Sequence, residues 1–205
     1  MKLYNRVINW PNILTFVRIL VIPLFVVLFY LPVTWAHTAA SIVFAVASLT
    51  DWLDGYLARY LKQATKLGAF LDPVADKLSV SIALVLIVAE PTFQFVNLPS
   101  TMLFIPCAFI TIPAAIIVAR ELIVSALREW MAELGKRQNI AVSNLGKVKT
   151  TVQMSALVIL LYCNHASSAW LILTGYVLLY GAAFLTIWSM LCYLKVAHKQ
   201  LQQSF

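Results

Sequence analysis

The chain has 205 residues, of which 62% are hydrophobic and 11% charged, with a mean hydropathy of +0.88. Soluble domains average about half apolar and a quarter charged, so a water-soluble domain is disfavoured; at about 20 residues per spanning helix the length holds six or seven spans and no separate soluble catalytic domain. The formal charge of +7 is compatible with nucleic acid, anionic lipid or a phosphorylated substrate, and the placement of the charges decides among them.

Residues 1–12 carry Tyr4 and Trp10 among polar neighbours and read as an amphipathic segment at the membrane interface, ahead of a six-helix domain over residues 13–205. Lys2 and Arg6 before an apolar run imitate a secretory signal, but the run starts too late and is too long for one. Apolar stretches predict spanning helices at Ile13–Leu31, Ala39–Tyr60, Phe70–Ala89, Met102–Trp130, Val148–Tyr162 and Ala169–Leu194. The expected architecture is an all-α membrane protein with six transmembrane helices.

The links after the first, third and fifth stretches contain no Lys or Arg. The cations lie on the other side: Arg59, Lys62 and Lys66 after the second stretch, Arg128, Lys136, Arg137, Lys147 and Lys149 around the link after the fourth, and Lys195 and Lys199 after the sixth. By the positive-inside rule both termini face the cytoplasm, and membrane lipid rather than nucleic acid accounts for much of the charge. Cys107, Cys163 and Cys192 are scattered and lack metal or disulfide spacing, so they read as small packing residues.

Half of the eight acidic residues fall in one stretch, as Asp51, Asp54, Asp72 and Asp76. An Asp at the bilayer centre costs roughly 3 kcal/mol, and four facing lipid would cost on the order of 10 kcal/mol, so they are expected to line a polar cavity. Asp51 and Asp54 are three apart on one predicted helix, and Asp72 and Asp76 four apart on the next, with a short link making the helices antiparallel neighbours. Converging carboxylates repel unless cations intervene, and hard divalent ions prefer oxygen ligands; two Mg²⁺ or Mn²⁺ ions resolve the repulsion. Asp51 lies roughly 13 Å from the cytoplasmic end of its predicted helix, a depth suited to a lipid substrate whose polar head meets metal. A structural ion network with Arg59 and Lys77 is the plainer alternative. Gly55, Gly68 and Ala58 keep the backbone open to close approach, and Pro73 is expected near the start of its helix.

Asp51 to Asp76 reads Asp-x2-Asp-Gly-x2-Ala-Arg-x8-Gly-x3-Asp-x3-Asp, which resembles, element for element, the signature of the CDP-alcohol phosphotransferases. Pro11-Asn12-x2-Thr15-x2-Arg18, Ala119-Arg120-Glu121 with Arg128, and Gly146-Lys147-x-Lys149-Thr150 extend the resemblance to bacterial members that act on glycerol 3-phosphate. The resemblance implies a six-helix fold, usually a homodimer in the bacterial cytoplasmic membrane. It further implies transfer of the phosphatidyl group of CDP-diacylglycerol to the primary hydroxyl of glycerol 3-phosphate, with release of CMP. By position it makes Asp51, Asp54 and Asp72 metal ligands, and Asp76 the general base and also close to metal. It sets Asn12, Thr15, Asp51, Gly55, Ala58, Arg59 and Gly68 around CDP-diacylglycerol.

The acidic signature is common to enzymes with several acceptors, so the basic residues carry the acceptor question. Arg120 and Arg128 fall within about 80° on one helix face, and Lys147 and Lys149 open the fifth span on the same side. Guanidinium and ammonium groups together suit a phosphate dianion better than an uncharged polyol. Topology alone explains some of these cations but explains Arg120 poorly, because it sits inside the apolar run 116–124. Glu121 and Glu129 are expected to orient the arginines, Thr50 and Gln153 to extend the polar shell, and Arg18 to pair with site acids or reach lipid phosphates. His37 and His165 lie in external links and His198 in the tail, away from chemistry. Three rivals remain: a transferase using inositol phosphate or a phospholipid as acceptor, an Asp-rich prenyltransferase, and a cation transporter. The prenyltransferase is expected to carry a second, distant acidic motif, and the last three spans contain no Asp. The transporter leaves the glycines, Arg59 and the basic cluster without a task.

Overall fold

A computed structural model describes residues 10–61, 66–97, 102–133 and 144–202. Six helices occupy them: α1 (Trp10–Phe29), α2 (Ala36–Leu61), α3 (Lys66–Ala89), α4 (Ala108–Glu133), α5 (Asn144–Tyr162) and α6 (Ala169–Gln202). Each covers one predicted apolar stretch, with ends shifted by a few residues. Proline punctuates several ends, because it cannot continue the hydrogen-bond ladder: Pro32 follows α1, Pro91 follows α3 and Pro106 precedes α4. At the start of α6 the Ser168 carbonyl accepts from Leu171 N–H at 3.0 Å and Ile172 N–H at 3.3 Å, the pattern of a helix-capping residue.

Several expectations change. The link between α3 and α4 is not helical: a short 3₁₀ turn, Pro91–Gln94, leads into an antiparallel hairpin of β1 (Phe95–Asn97) and β2 (Met102–Phe104), with Val96 opposite Leu103. The fourth helix therefore starts at Ala108, and Met102–Phe104, assigned above to a span, pairs as strand instead, which uses its backbone groups where Pro106 bars an earlier helix start. Pro73 is well inside α3 rather than at its start. His37 belongs to the first turn of α2 and meets Phe29 edge-to-face with ring centroids 4.6 Å apart, so it is not a link residue. Residues 10–12, placed above in an interfacial segment, open α1; residues 1–9 lie outside the described residues.

Two of the helices, over Ala108–Met131 and Ala169–Lys195, are long and apolar enough to cross a membrane. Shorter apolar segments run through Phe16–Phe29, Ala36–Thr50 and Val148–Tyr162. Large apolar side chains such as Leu20, Val27, Leu49, Val85, Leu122, Trp170, Val177 and Phe184 are exposed, a surface that water tolerates badly and lipid does not. Hydroxyls on these helices are satisfied within their own helix: Ser48, Thr50, Ser79, Thr111, Thr150 and Thr174 each donate to the carbonyl four residues back. Such bonds keep a hydroxyl satisfied where no water reaches it. Thr50, expected above in the polar shell, is among them.

The chain divides into two compact units. The first comprises α1, α2 and α3 together with the end of α5 from Val158 to Ser167. Helix α1 packs on both α2 and α3; its Ile22, Phe25 and Phe29 are buried, as are Ala36, Ala40 and Phe44 of α2 and Val80, Ala83, Leu84 and Ile87 of α3. The small residues let helix backbones approach, the main source of association where lipid is as apolar as the side chains. Ser41 ties α2 to the end of α5 by donating to the Val158 carbonyl at 2.9 Å. The Cys163 thiol is buried here and pushed up to about 11 by desolvation, which makes it a packing residue; Cys107 and Cys192 are exposed.

The second unit comprises Pro91–Leu157 and α6. Helix α4 packs along α6, with Ile110, Ala114, Ile117 and Val124 of α4 and Leu179, Ala182 and Ala183 of α6 buried. Tyr176 donates its hydroxyl to the Phe93 carbonyl at 2.8 Å and so pins the 3₁₀ turn before the hairpin. At Gly181 a Cβ would sit 3.9 Å from Val152 Cγ1, so α5 also runs close to α6.

Candidate active site

The first unit carries the acidic signature. Asp51, Asp54, Gly55, Ala58 and Arg59 lie on α2, Gly68 on the first turn of α3, and Asn12 and Thr15 on α1. Their side chains lie outside the described residues. Helical spacing puts Asp51 and Asp54 on one face of α2. On α3, Asp72 is exposed and Asp76 half-buried, one turn apart on a shared face. Helices α2 and α3 are in contact. Among the described residues no three His, Cys, Asp or Glu side chains form a metal-binding group, and the expected set draws two of its four members from residues outside them. Arg18, on α1, is buried and lines an apolar groove of about 290 Å³ with Val17, Val21, Ile42 and Val46.

The second unit carries the basic set, and here the side chains are in place. Arg120, 8% exposed, lies in the middle of α4. Its Nη1 donates to Glu121 Oε1 at 3.1 Å and its Nη2 to Ser189 Oγ on α6 at 2.9 Å. Lys149, 4% exposed, reaches from α5 to the same Glu121 oxygen. Arg128, two turns beyond Arg120, donates from Nη2 to the Tyr193 hydroxyl at 2.8 Å. The Tyr193 ring also lies under both guanidiniums, with centroids 5.8 Å from Arg120 Cζ and 5.2 Å from Arg128 Cζ. Lys147 is on the first turn of α5, and its side chain lies outside the described residues.

Of the four acceptor residues expected from the sequence, the structure therefore brings Arg120, Arg128 and Lys149 into one cluster. Glu121, expected to orient the arginines, does so for Arg120 and spans to Lys149 as well. Glu129 is exposed. Sequence reasoning missed Ser189 and Tyr193. A signal was there: Thr186, Ser189 and Tyr193 recur at helical spacing in an otherwise apolar run, one polar stripe on α6.

Charge balance decides what the cluster can do. Arg120, Lys149 and Arg128 bring three positive charges and Glu121 one negative. Arg120 and Lys149 are buried and share Glu121, while Arg128 is exposed, so a polar anion arriving at Arg128 meets a cluster whose described residues are mostly cationic. A phosphate dianion supplies the matching charge and accepts from guanidinium and ammonium alike.

Comparison with known proteins agrees with this chemistry. The CDP-alcohol phosphatidyltransferase family matches residues 8–188. Proteins named CDP-diacylglycerol–glycerol-3-phosphate 3-phosphatidyltransferase, from Escherichia coli (strain K12) and from Shigella flexneri serotype 5b (strain 8401), are 51% identical to this chain over 193 residues, covering 94% of it and 97% of their own length.

Proposed function

The chain belongs to the CDP-alcohol phosphatidyltransferase family, and we propose that it transfers the phosphatidyl group of CDP-diacylglycerol to glycerol 3-phosphate, giving phosphatidylglycerophosphate and CMP. The observation that carries this reading is the cluster of buried Arg120 and Lys149 with exposed Arg128, whose positive charge fits the phosphate of the acceptor. The names of the 51% identical relatives specify the same two substrates. An uncharged acceptor such as inositol leaves that charge unmet.

The reaction is one displacement. The primary hydroxyl oxygen of glycerol 3-phosphate attacks the phosphorus that bears the diacylglycerol; the bond from that phosphorus to the bridging oxygen breaks, and CMP leaves with the electron pair. The hydroxyl proton passes to Asp76, whose half-buried position on α3 suits a base reached by a polar substrate. Arg59 sets a fixed positive charge near the diphosphate, while Asn12, Thr15, Gly55, Ala58 and Gly68 border the nucleotide lipid. In the basic cluster, Arg120, Arg128, Lys147 and Lys149 hold the acceptor phosphate.

The donor set of the acidic signature is all carboxylate oxygen, and Asp72 and Asp76 share a face of α3. That chemistry fits two hard divalent cations, Mg²⁺ or Mn²⁺, held by Asp51, Asp54, Asp72 and Asp76. Bound there, they would offset the charge of the diphosphate and of the departing CMP. All six helices span the bacterial cytoplasmic membrane in this reading, with both termini and the chemistry on the cytoplasmic side, and two copies associate as a dimer. The basic links and the exposed apolar side chains support the topology.

The test is incorporation of labelled glycerol 3-phosphate into lipid by purified protein with CDP-diacylglycerol and Mg²⁺. Stoichiometric CMP release is expected, lost in excess chelator and regained on adding Mg²⁺. Absence of release with glycerol 3-phosphate, or equal release with inositol phosphate, overturns the acceptor assignment; full activity in chelator overturns the metal assignment.

A further inference from the structure

Three buried polar atoms of the second unit have no hydrogen-bond partner among the described residues: Gln153 Oε1 on α5, Thr186 Oγ1 on α6 and Arg120 Nε on α4. Gln153 is 3% exposed and Thr186 fully buried. Buried polar groups are normally paired, and an unpaired one is costly enough to need a reason. Thr186 is the more telling because Ser48, Thr50, Ser79, Thr111, Thr150 and Thr174 all spend their hydroxyls on the carbonyl four residues back.

The three atoms lie on the helices that carry the cation cluster. Lys149 of α5 joins Ser189 of α6 through Glu121 and Arg120, while Val152 of α5 meets Gly181 of α6. Thr186 lies between the two contact levels on α6 and one turn from Ser189 on the same face; Gln153 is next to Val152 and one turn from Lys149 on the same face. Gln153 is thus about one turn, roughly 5 Å, along α5 from Lys149, and Thr186 about one turn along α6 from Ser189.

Their chemistry specifies an occupant. An amide oxygen only accepts, a guanidinium Nε only donates, and a hydroxyl does either. The missing molecule must offer a hydrogen-bond donor to Gln153 and an acceptor to Arg120, beside surplus positive charge. An aprotic anion such as sulfate lacks the first and a neutral polyol lacks the charge; a hydroxylated phosphate ester has both, with its hydroxyl carried apart from its charge. Resting on the acceptor assignment above, we propose that Gln153, with Thr186, binds the secondary hydroxyl of glycerol 3-phosphate, the hydroxyl that does not react. Arg120 Nε faces the phosphate. The pair thereby distinguishes a glycerol phosphate from a simple alkanol phosphate.

The test compares glycerol 3-phosphate with 3-hydroxypropyl phosphate, which keeps the phosphate and the primary hydroxyl but lacks the secondary one. The wild-type protein is expected to prefer glycerol 3-phosphate in kcat/KM by about tenfold to a hundredfold, since the analogue leaves buried groups unpaired. Gln153→Leu is expected to bring glycerol 3-phosphate down to the level of the analogue and to leave the analogue within about twofold. Thr186→Val, close in shape and lacking only the hydroxyl, is expected to shrink the preference in the same direction, and it carries the comparison if Gln153→Leu does not insert. A structural role for the pair, or a trapped water in place of the hydroxyl, predicts that both acceptors fall together with the ratio unchanged; that result, or a wild-type protein without preference, overturns the proposal. CMP release with some other acceptor and with neither of these two overturns the acceptor assignment as well, and is a separate reading of the same assay.

Discussion

The acidic and basic regions solve opposite electrostatic problems by different means. On α3, Asp72 is exposed and Asp76 half-buried, and the residues of the acidic signature follow one another at helical spacing within a single stretch of chain. In the second unit, Arg120 and Lys149 are buried, and their partners come from far along the chain: Glu121 is 28 residues from Lys149, Ser189 is 69 from Arg120, and Tyr193 is 65 from Arg128. Neighbouring acids on one face repel one another, whereas the cations have a carboxylate, a hydroxyl and an aromatic ring drawn from other helices. In the proposed reading the first arrangement is completed by metal, whereas the second already has its described partners in place.

The largest effect expected from this contrast is on the acidic side. Asp72→Asn keeps the size of an exposed side chain and removes a charge that the proposed reading gives to metal; kcat is expected to fall by on the order of a thousandfold or more with folding and insertion unchanged. Retained turnover, followed as CMP release, breaks the assignment of α3 to catalysis.

On the basic side the leading effect is on stability. Glu121→Gln leaves Arg120 and Lys149 buried without their shared counter-charge, at a cost of about 3–5 kcal/mol. A thermal melt in detergent should show it, and added glycerol 3-phosphate should restore part of the loss, because ligand binding favours the folded form. An unchanged melting temperature breaks the claim that this cluster is organised in advance.

Smaller changes sharpen the division of labour. Arg128→Ala is expected to raise the acceptor KM by about tenfold with little change in kcat, since it removes a binding charge and no reacting group. Tyr193→Phe keeps the ring beneath both arginines and deletes only the hydroxyl that accepts from Arg128. A loss of about 1 kcal/mol, or roughly fivefold in acceptor KM, is expected. Equal effects of both substitutions on KM for CDP-diacylglycerol would show that the cluster does not separate the two substrates.

The helices, the acidic signature and the basic residues that cluster in the second unit were legible from the chain. Apolar runs of spanning length mark each helix to within a few residues, and carboxylates three and four apart share a face whatever packs around them. Arg120 stood out because a cation inside an apolar run needs a partner. The hairpin Phe95–Asn97 with Met102–Phe104 was missed, since short apolar strands beside a long apolar helix have no distinct period. Pro73 was placed too early in its helix because the apolar stretch, unlike the helix, does not extend back to Lys66.

By itself the sequence determined the apolar character, the helix order, the carboxylate signature and the excess of cations, all properties of composition or of local spacing along the chain. Tertiary structure alone decided that Glu121 serves both Arg120 and Lys149, that Ser189 and Tyr193 hold the arginines, and that Gln153 and Thr186 are left with unpaired atoms. The physical reason is range. Helical periodicity places a side chain relative to its own axis, but a hydrogen bond near 2.9 Å depends on which helices pack and at what level, and no local pattern encodes that.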